Sequence, residues 1–145
     1  MPALAGISHL SLSVPDLESA VAFWCDGLGF EPQNDDAAYR FLLHRGAGIA
    51  VVLTSHTGAV RGPFSELNPG LDHVSLAVRD PDELRRWAER FPGPDGRPAV
   101  VVESDFGWHL NVRGPDNFPI ELFVLNDAAA AALGLPGEPV AATHR

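Results

Sequence analysis

Apolar and polar or small positions alternate from His9 and from His73 onward in two stretches of the chain, Ile7-Ser8-His9-Leu10-Ser11-Leu12-Ser13-Val14 and Leu71-Asp72-His73-Val74-Ser75-Leu76-Ala77-Val78. That period of two predicts strands with one packed face each. The stretches match position by position, with His9 and His73 at equivalent places, which marks an internal repeat. A helix signal follows each strand. Pro15-Asp16 opens the first helix, and Asp80-Pro81-Asp82-Glu83 opens the second with an N-cap aspartate, a proline in the first turn and a capping-box glutamate. Leu17, Val21, Trp24 and Leu28 form one apolar stripe; Leu84, Trp87, Ala88 and Phe91 form the other before Pro92-Gly93 ends it.

Three strands are predicted after each helix: Phe30 to Gln33, Ala38 to His44 and Ile49 to Thr54, then Ala99 to Glu103, Gly107 to Arg113 and Pro119 to Leu125. Gly46 to Gly48 and Gly114-Pro115-Asp116-Asn117 supply turns. The plan is α+β, two βαβββ modules over residues 5–57 and 70–125, joined through Ser55 to Gly70. A module of ~60 residues buries too little surface to be comfortable alone, so the two are expected to share one domain. Residues 126–145, an alanine run and then Pro136-Gly137-Glu138-Pro139, predict a short helix and a loose tail.

Ten Lys and Arg against nineteen Asp and Glu leave a formal charge of −9, which repels phosphate backbones and argues against a nucleic-acid partner. No apolar run approaches the ~20 residues that span a bilayer, and residues 1–8 lack the positive start of a signal peptide; a cytoplasmic protein without a membrane partner is expected. Cys25 is the single cysteine, so a metal would be held by His, Asp or Glu. Cys25 itself reads as a small helix residue, and Trp24, Trp87 and Trp108 read as core.

The strand faces localise the chemistry. Leu10, Leu12 and Val14 pack inward and leave His9, Ser11 and Ser13 opposite; Val74, Leu76 and Val78 leave His73, Ser75 and Ala77. Trp108, Leu110 and Val112 oppose Gly107, His109, Asn111 and Arg113, and Ile120, Leu122 and Val124 send Glu121 to the other face among apolar neighbours, where a carboxylate needs a partner. If the polar faces line one concave surface, His9, His73 and Glu121 are available to one metal. Any one of these histidines alone reads more simply as a hydrogen-bonded structural residue.

These features resemble the vicinal oxygen chelate superfamily, which includes glyoxalase I, fosfomycin-resistance enzymes, extradiol dioxygenases, methylmalonyl-CoA epimerase and bleomycin-resistance binding proteins. The resemblance covers about residues 5–125. It is carried by the two His-containing strand starts, Phe23-Trp24, Gly27-Leu28-Gly29-Phe30 and Gly114-Pro115-Asp116-Asn117-Phe118-Pro119-Ile120-Glu121-Leu122. The last is similar to the family's Asp-Pro-Asp-Gly-Asn turn, with Gly114 in place of Asp and Asn117 in place of Gly; Asn also tolerates a left-handed position.

The resemblance implies a cupped, open eight-stranded mixed sheet around a metal site, with His9, His73 and Glu121 as ligands. A fourth ligand, present in glyoxalase I and the epimerase, falls on Val52, which cannot bind a metal. The remaining triad is shared by dioxygenases and fosfomycin enzymes. It points to one divalent metal per site, Fe(II) foremost with Mn(II) or Zn(II) as alternatives, and to an oxygenase that chelates a small aromatic substrate through vicinal oxygens. The rival readings are a non-catalytic binding or antibiotic-sequestering protein and, further off, a fosfomycin-type transferase or glyoxalase-like lyase. Ser104 to Gly107 gives no match to the transferases' potassium loop.

Such chemistry needs an acid or base, with His109 the first choice and His56 and His44 the alternatives. Asn111 stands near the place of the dioxygenases' tyrosine and, with Arg113 and Tyr39, is a candidate substrate contact. Resembling proteins cover their sheet edges by pairing chains, so a homodimer is expected.

Overall fold

The computed structural model describes residues 7–58, 62–93 and 96–134; the expected tail after Gly134 lies outside them. The chain divides into two compact units, one running to Phe64 and including Gly114–Asn117, the other comprising Ser65–Arg113 and the segment from Phe118 onward. Each unit carries one four-stranded mixed sheet and its helices, the α+β class expected.

In the first unit the elements are β1 (Leu10–Ser13), α1 (Leu17–Ala22), β2 (Glu31–Pro32), β3 (Tyr39–His44) and β4 (Ile49–Thr54). The sheet order is β1-β4-β3-β2, with β1 parallel to β4 and the other pairs antiparallel. Asp16 caps α1 by accepting the Ser19 N–H at 3.0 Å. The expected single helix instead widens into a π-helical turn over Phe23–Gly27. The widening lets the Phe30 N–H reach the Trp24 carbonyl at 3.1 Å and sets the two rings edge to face at 5.0 Å. Phe30 thereby enters the core with Trp24 and Leu28 and leaves β2 shorter than predicted.

Leu12, Leu42, Val51 and Leu53 share the buried face. So does Arg40, whose charge is matched by Glu18 at 3.0 Å and Asp35 at 2.8 Å. Tyr39 consequently lies on the opposite face with Phe41, Val52 and Ser11.

The second unit repeats the plan with β5 (Val74–Ala77), α2 (Pro81–Arg90), β6 (Val102–Ser104), β7 (Gly107–Arg113) and β8 (Pro119–Leu125), and ends with α3 (Asp127–Leu133). Its order is β5-β8-β7-β6, again with one parallel pair, β5 to β8. Asp80 accepts the Glu83 N–H at 2.7 Å, as the capping signal predicts; Glu83 reaches back one residue further than the box requires, to the Arg79 N–H at 3.3 Å. Leu84, Leu110, Val112, Ile120, Leu122 and Val124 are buried. Trp87 and Trp108 are half-buried, unlike Trp24.

Strand β6 begins later than the alternation suggested. The Gly93 N–H donates to the Arg97 carbonyl at 2.6 Å and Pro92 pairs with Pro98, and Ala99–Val101 lie outside the sheet. Asn126 caps α3 through the Ala129 N–H at 2.8 Å, and Gly134 closes it with a left-handed φ of 63°. No helix among the described residues is long and apolar enough to cross a membrane.

Gly107 opens β7 at φ +146°, and a Cβ there would lie 2.0 Å from the Val124 carbonyl oxygen. Neither backbone can move without breaking the β7–β8 ladder. Gly107→Ala is therefore expected to destabilise the fold by about 3 kcal/mol or more, measured by urea unfolding.

Candidate metal centre

The register of each sheet relates the two modules residue by residue. Ser11 pairs with Val52 in the first unit, and its repeat equivalent Ser75 pairs with Glu121 in the second. Across the antiparallel neighbour, Val52 faces Phe41 and Glu121 faces Asn111. Val52 is thus the first module's counterpart of Glu121, on the face that bears Ser11 and Tyr39, and it offers no donor atom.

Glu121 is mostly buried, its side chain 19% exposed, and its neighbours correct the expected apolar surroundings: the Ser75 hydroxyl donates to Oε2 at 2.8 Å and Asn111 lies opposite in register. The apolar pattern of β8 alone could not show this, because the flanking residues come from β5 and β7. His73 turns Nε2 toward the same Oε2 at 3.7 Å while its Nδ1 meets Asp72 Oδ1 at 2.5 Å.

A separation of 3.7 Å is too long for a hydrogen bond. Two donors that each bind one ion at ~2.1 Å can stand up to ~4.2 Å apart, so His73 and Glu121 fit a shared divalent cation. An imidazole and a carboxylate also suit such an ion chemically. His9 lies in the first unit, exposed, with Nδ1 at 3.1 Å from Ser8 Oγ. Among the described residues no group of three or more His, Cys, Asp and Glu side chains is gathered around a metal position.

The three candidate acid–base histidines occupy different settings. His109 is half-buried on the Glu121 face of the second sheet, paired with Val102 and Phe123 and stacked on the Phe123 ring at 6.4 Å. His44 is engaged by its own hairpin: its Nδ1 accepts the Ala47 N–H at 3.1 Å and its ring sits edge-on to Phe30 at 5.3 Å. His56 is exposed and lines a cavity of about 680 Å³ in the first unit, with Ser13, Ser55, Thr57, Phe64 and Asp116. The turn before β8 closes one side of it. Asn117 there adopts φ 65° and donates from Nδ2 to the Phe64 carbonyl at 3.0 Å, so asparagine fills the left-handed position as the sequence allows.

Asn111 and Tyr39 are exposed. Arg113 is engaged by Glu66 at 2.6 Å, a residue that strand reading could not connect to it. The hydrogen bond from Arg113 holds the Glu66 carboxyl below the usual carboxylate range. Since the folded state favours the charged form, the tie contributes above that range and is lost as pH falls through the lowered value. Arg113→Ala is expected to move the Glu66 titration, followed by carboxyl carbon NMR, upward toward ~4.3. Burial, and then the Asp26 charge, push the Cys25 thiol up, which keeps it protonated and poorly nucleophilic.

The glyoxalase/bleomycin resistance protein/dioxygenase superfamily model matches residues 6–122, and the chain belongs to that superfamily. Among solved structures it is similar to a glyoxylase/bleomycin resistance protein/dioxygenase domain from Frankia sp. EAN1pec, with 29% identity, TM-score 0.74, and coverage of 90% of this chain and 99% of that one. The fold is also that of the fosfomycin resistance protein FosX from Listeria monocytogenes, at 17% identity and TM-score 0.65 over 90% of this chain and 99% of that one. A bleomycin-binding protein from Streptomyces verticillus shares it at 20% identity and TM-score 0.61, over 86% and 100% of the two chains. No curated protein shows a significant match.

Proposed function

We propose that the chain is a metal-dependent enzyme in which His9, His73 and Glu121 hold one divalent ion, Fe(II) foremost with Mn(II) or Zn(II) as alternatives, and that it oxygenates a small aromatic substrate through two vicinal oxygens. The observation that carries this reading is the His73–Glu121 pair, two metal-type donors aimed at each other at 3.7 Å. Fe(II) held by these residues would supply Lewis-acid and redox chemistry toward a vicinal-diol substrate and O₂. Val52, standing where Glu121 stands in the other module, supplies no further ligand and so favours an open site.

The chain's own residues would do the rest. His109, on the Glu121 face, would take the substrate's hydroxyl proton and return it later, and Asn111, beside Glu121 in register, would hold a substrate oxygen. Tyr39, on the Val52 face of the first sheet, would be a further substrate contact. Arg113 would attract an anionic substituent in competition with Glu66.

The test is a panel of catechols and related vicinal diols offered to the protein after anaerobic Fe(II) loading. Oxygen consumption coupled to loss of aromatic absorbance supports the enzyme. Binding without oxygen uptake across the panel favours sequestration instead.

Among the described residues each sheet ends in two strands paired on one side only, β1 and β2 in one and β5 and β6 in the other. Such edges favour a homodimer. Sedimentation at micromolar concentration is expected to give twice the chain mass; a monomer would remove this part of the proposal.

A further inference from the structure

His73 makes one contact that the proposed reaction does not use. Its Nδ1 lies 2.5 Å from Asp72 Oδ1, while Nε2 faces Glu121. A neutral imidazole carries a single ring proton, and the partner of one nitrogen decides where it sits. An ionised carboxylate only accepts, so beside Asp72 the proton belongs on Nδ1 and the lone pair on Nε2. We propose that Asp72 is a positioning residue: it fixes the tautomer and ring orientation of His73 and so strengthens metal binding at the His73–Glu121 pair. The inference rests on the metal-dependent reading above.

The repeat supplies an internal comparison. Ser8 precedes His9 as Asp72 precedes His73, and its Oγ lies 3.1 Å from His9 Nδ1. A hydroxyl both donates and accepts, so it selects neither tautomer. Nor is it a carboxylate, the kind of partner that fixes the ring orientation of metal-ligating histidines. The two histidines therefore differ in their outer partner while sharing a place in the repeat. Because the Asp72 side chain is 71% exposed, its pair with His73 adds little to global stability, and the effect of removing it should appear at the imidazole.

The first test needs no metal. Long-range ¹⁵N–¹H correlation spectra of the full metal-free chain at about pH 8.5, above the ordinary imidazole range, report the tautomer directly. The parent is expected to show His73 as Nδ1–H, Asp72→Ala to shift it toward Nε2–H, and Asp72→Asn, whose carbonyl still accepts, to restore Nδ1–H in part. The second test is Mn(II) calorimetry on the same proteins. Asp72→Ala should bind ~10–100-fold more weakly than the parent, with Asp72→Asn between them. Ser8→Ala should lose less, and urea midpoints should stay together. An unchanged tautomer in Asp72→Ala, or unchanged Mn(II) affinity in a parent that binds, overturns the role of Asp72. A parent that binds no Mn(II), Zn(II) or Fe(II) overturns the metal centre itself, and the spectra still decide whether Asp72 orients the ring.

Discussion

Replacing Glu121 with Gln is expected to weaken divalent-metal binding by more than ~100-fold, beyond the range seen when an outer partner of a ligand is lost. The substitution keeps the shape of the side chain, and an amide oxygen can still accept from the Ser75 hydroxyl that now donates to Oε2. The fold should therefore survive, with the urea midpoint close to that of the parent. What disappears is the negative charge facing His73 Nε2, and a neutral amide is a poor ligand for a hard divalent ion. Anaerobic Fe(II) loading followed by desalting and metal analysis reads the effect, and Mn(II) calorimetry gives its size. Equal metal content in the parent and Glu121→Gln would show that the carboxylate is no ligand.

That carboxylate was legible in the sequence because β8 alternates cleanly: with Ile120, Leu122 and Val124 packed, Glu121 has to face the other way. Strands β4, β7 and β8 have the predicted bounds for the same reason. Legibility fails where a local pattern is overruled by a contact distant in sequence or by backbone geometry. Phe30 follows a helix end and alternates like a strand residue, yet burial against Trp24 removes it from the ladder. Arg40 is buried beside Leu42 with its charge matched by Glu18 and Asp35, neither of which the pattern of its own strand can specify.

The site divides in the same way. Glu121 sits on a face that periodicity reveals, whereas His9 and His73 stand one residue before β1 and β5, and the partner of Glu121 depends on strand register. Ser75 meets Glu121 only because β5 pairs in parallel with β8, and no feature of either strand alone specifies that alignment. Asp72 is the exception: it adjoins His73, and the contrast with Ser8 at the repeat position was visible in the chain itself. Arg113 marks the limit for charge. Its pairing with Glu66 spans a connecting segment for which alternation makes no prediction.

For the acid–base role, changing His109 to Ala should leave metal content intact and slow turnover by ~10²-fold or more, the usual size of a positioned proton-transfer group. The ring also packs, since it stacks on Phe123 at 6.4 Å with the planes 10° apart, and loss of that contact could by itself disturb the face that carries Glu121. His109→Phe separates the two effects. A phenyl ring can keep the stack but cannot hold a proton. If His109 moves protons, both variants are slow on a substrate that the parent turns over. A slow Ala variant beside a fast Phe variant would assign the residue to packing. Full activity in both would pass the proton to His56, or to His44, whose Nδ1 is already engaged by the Ala47 N–H.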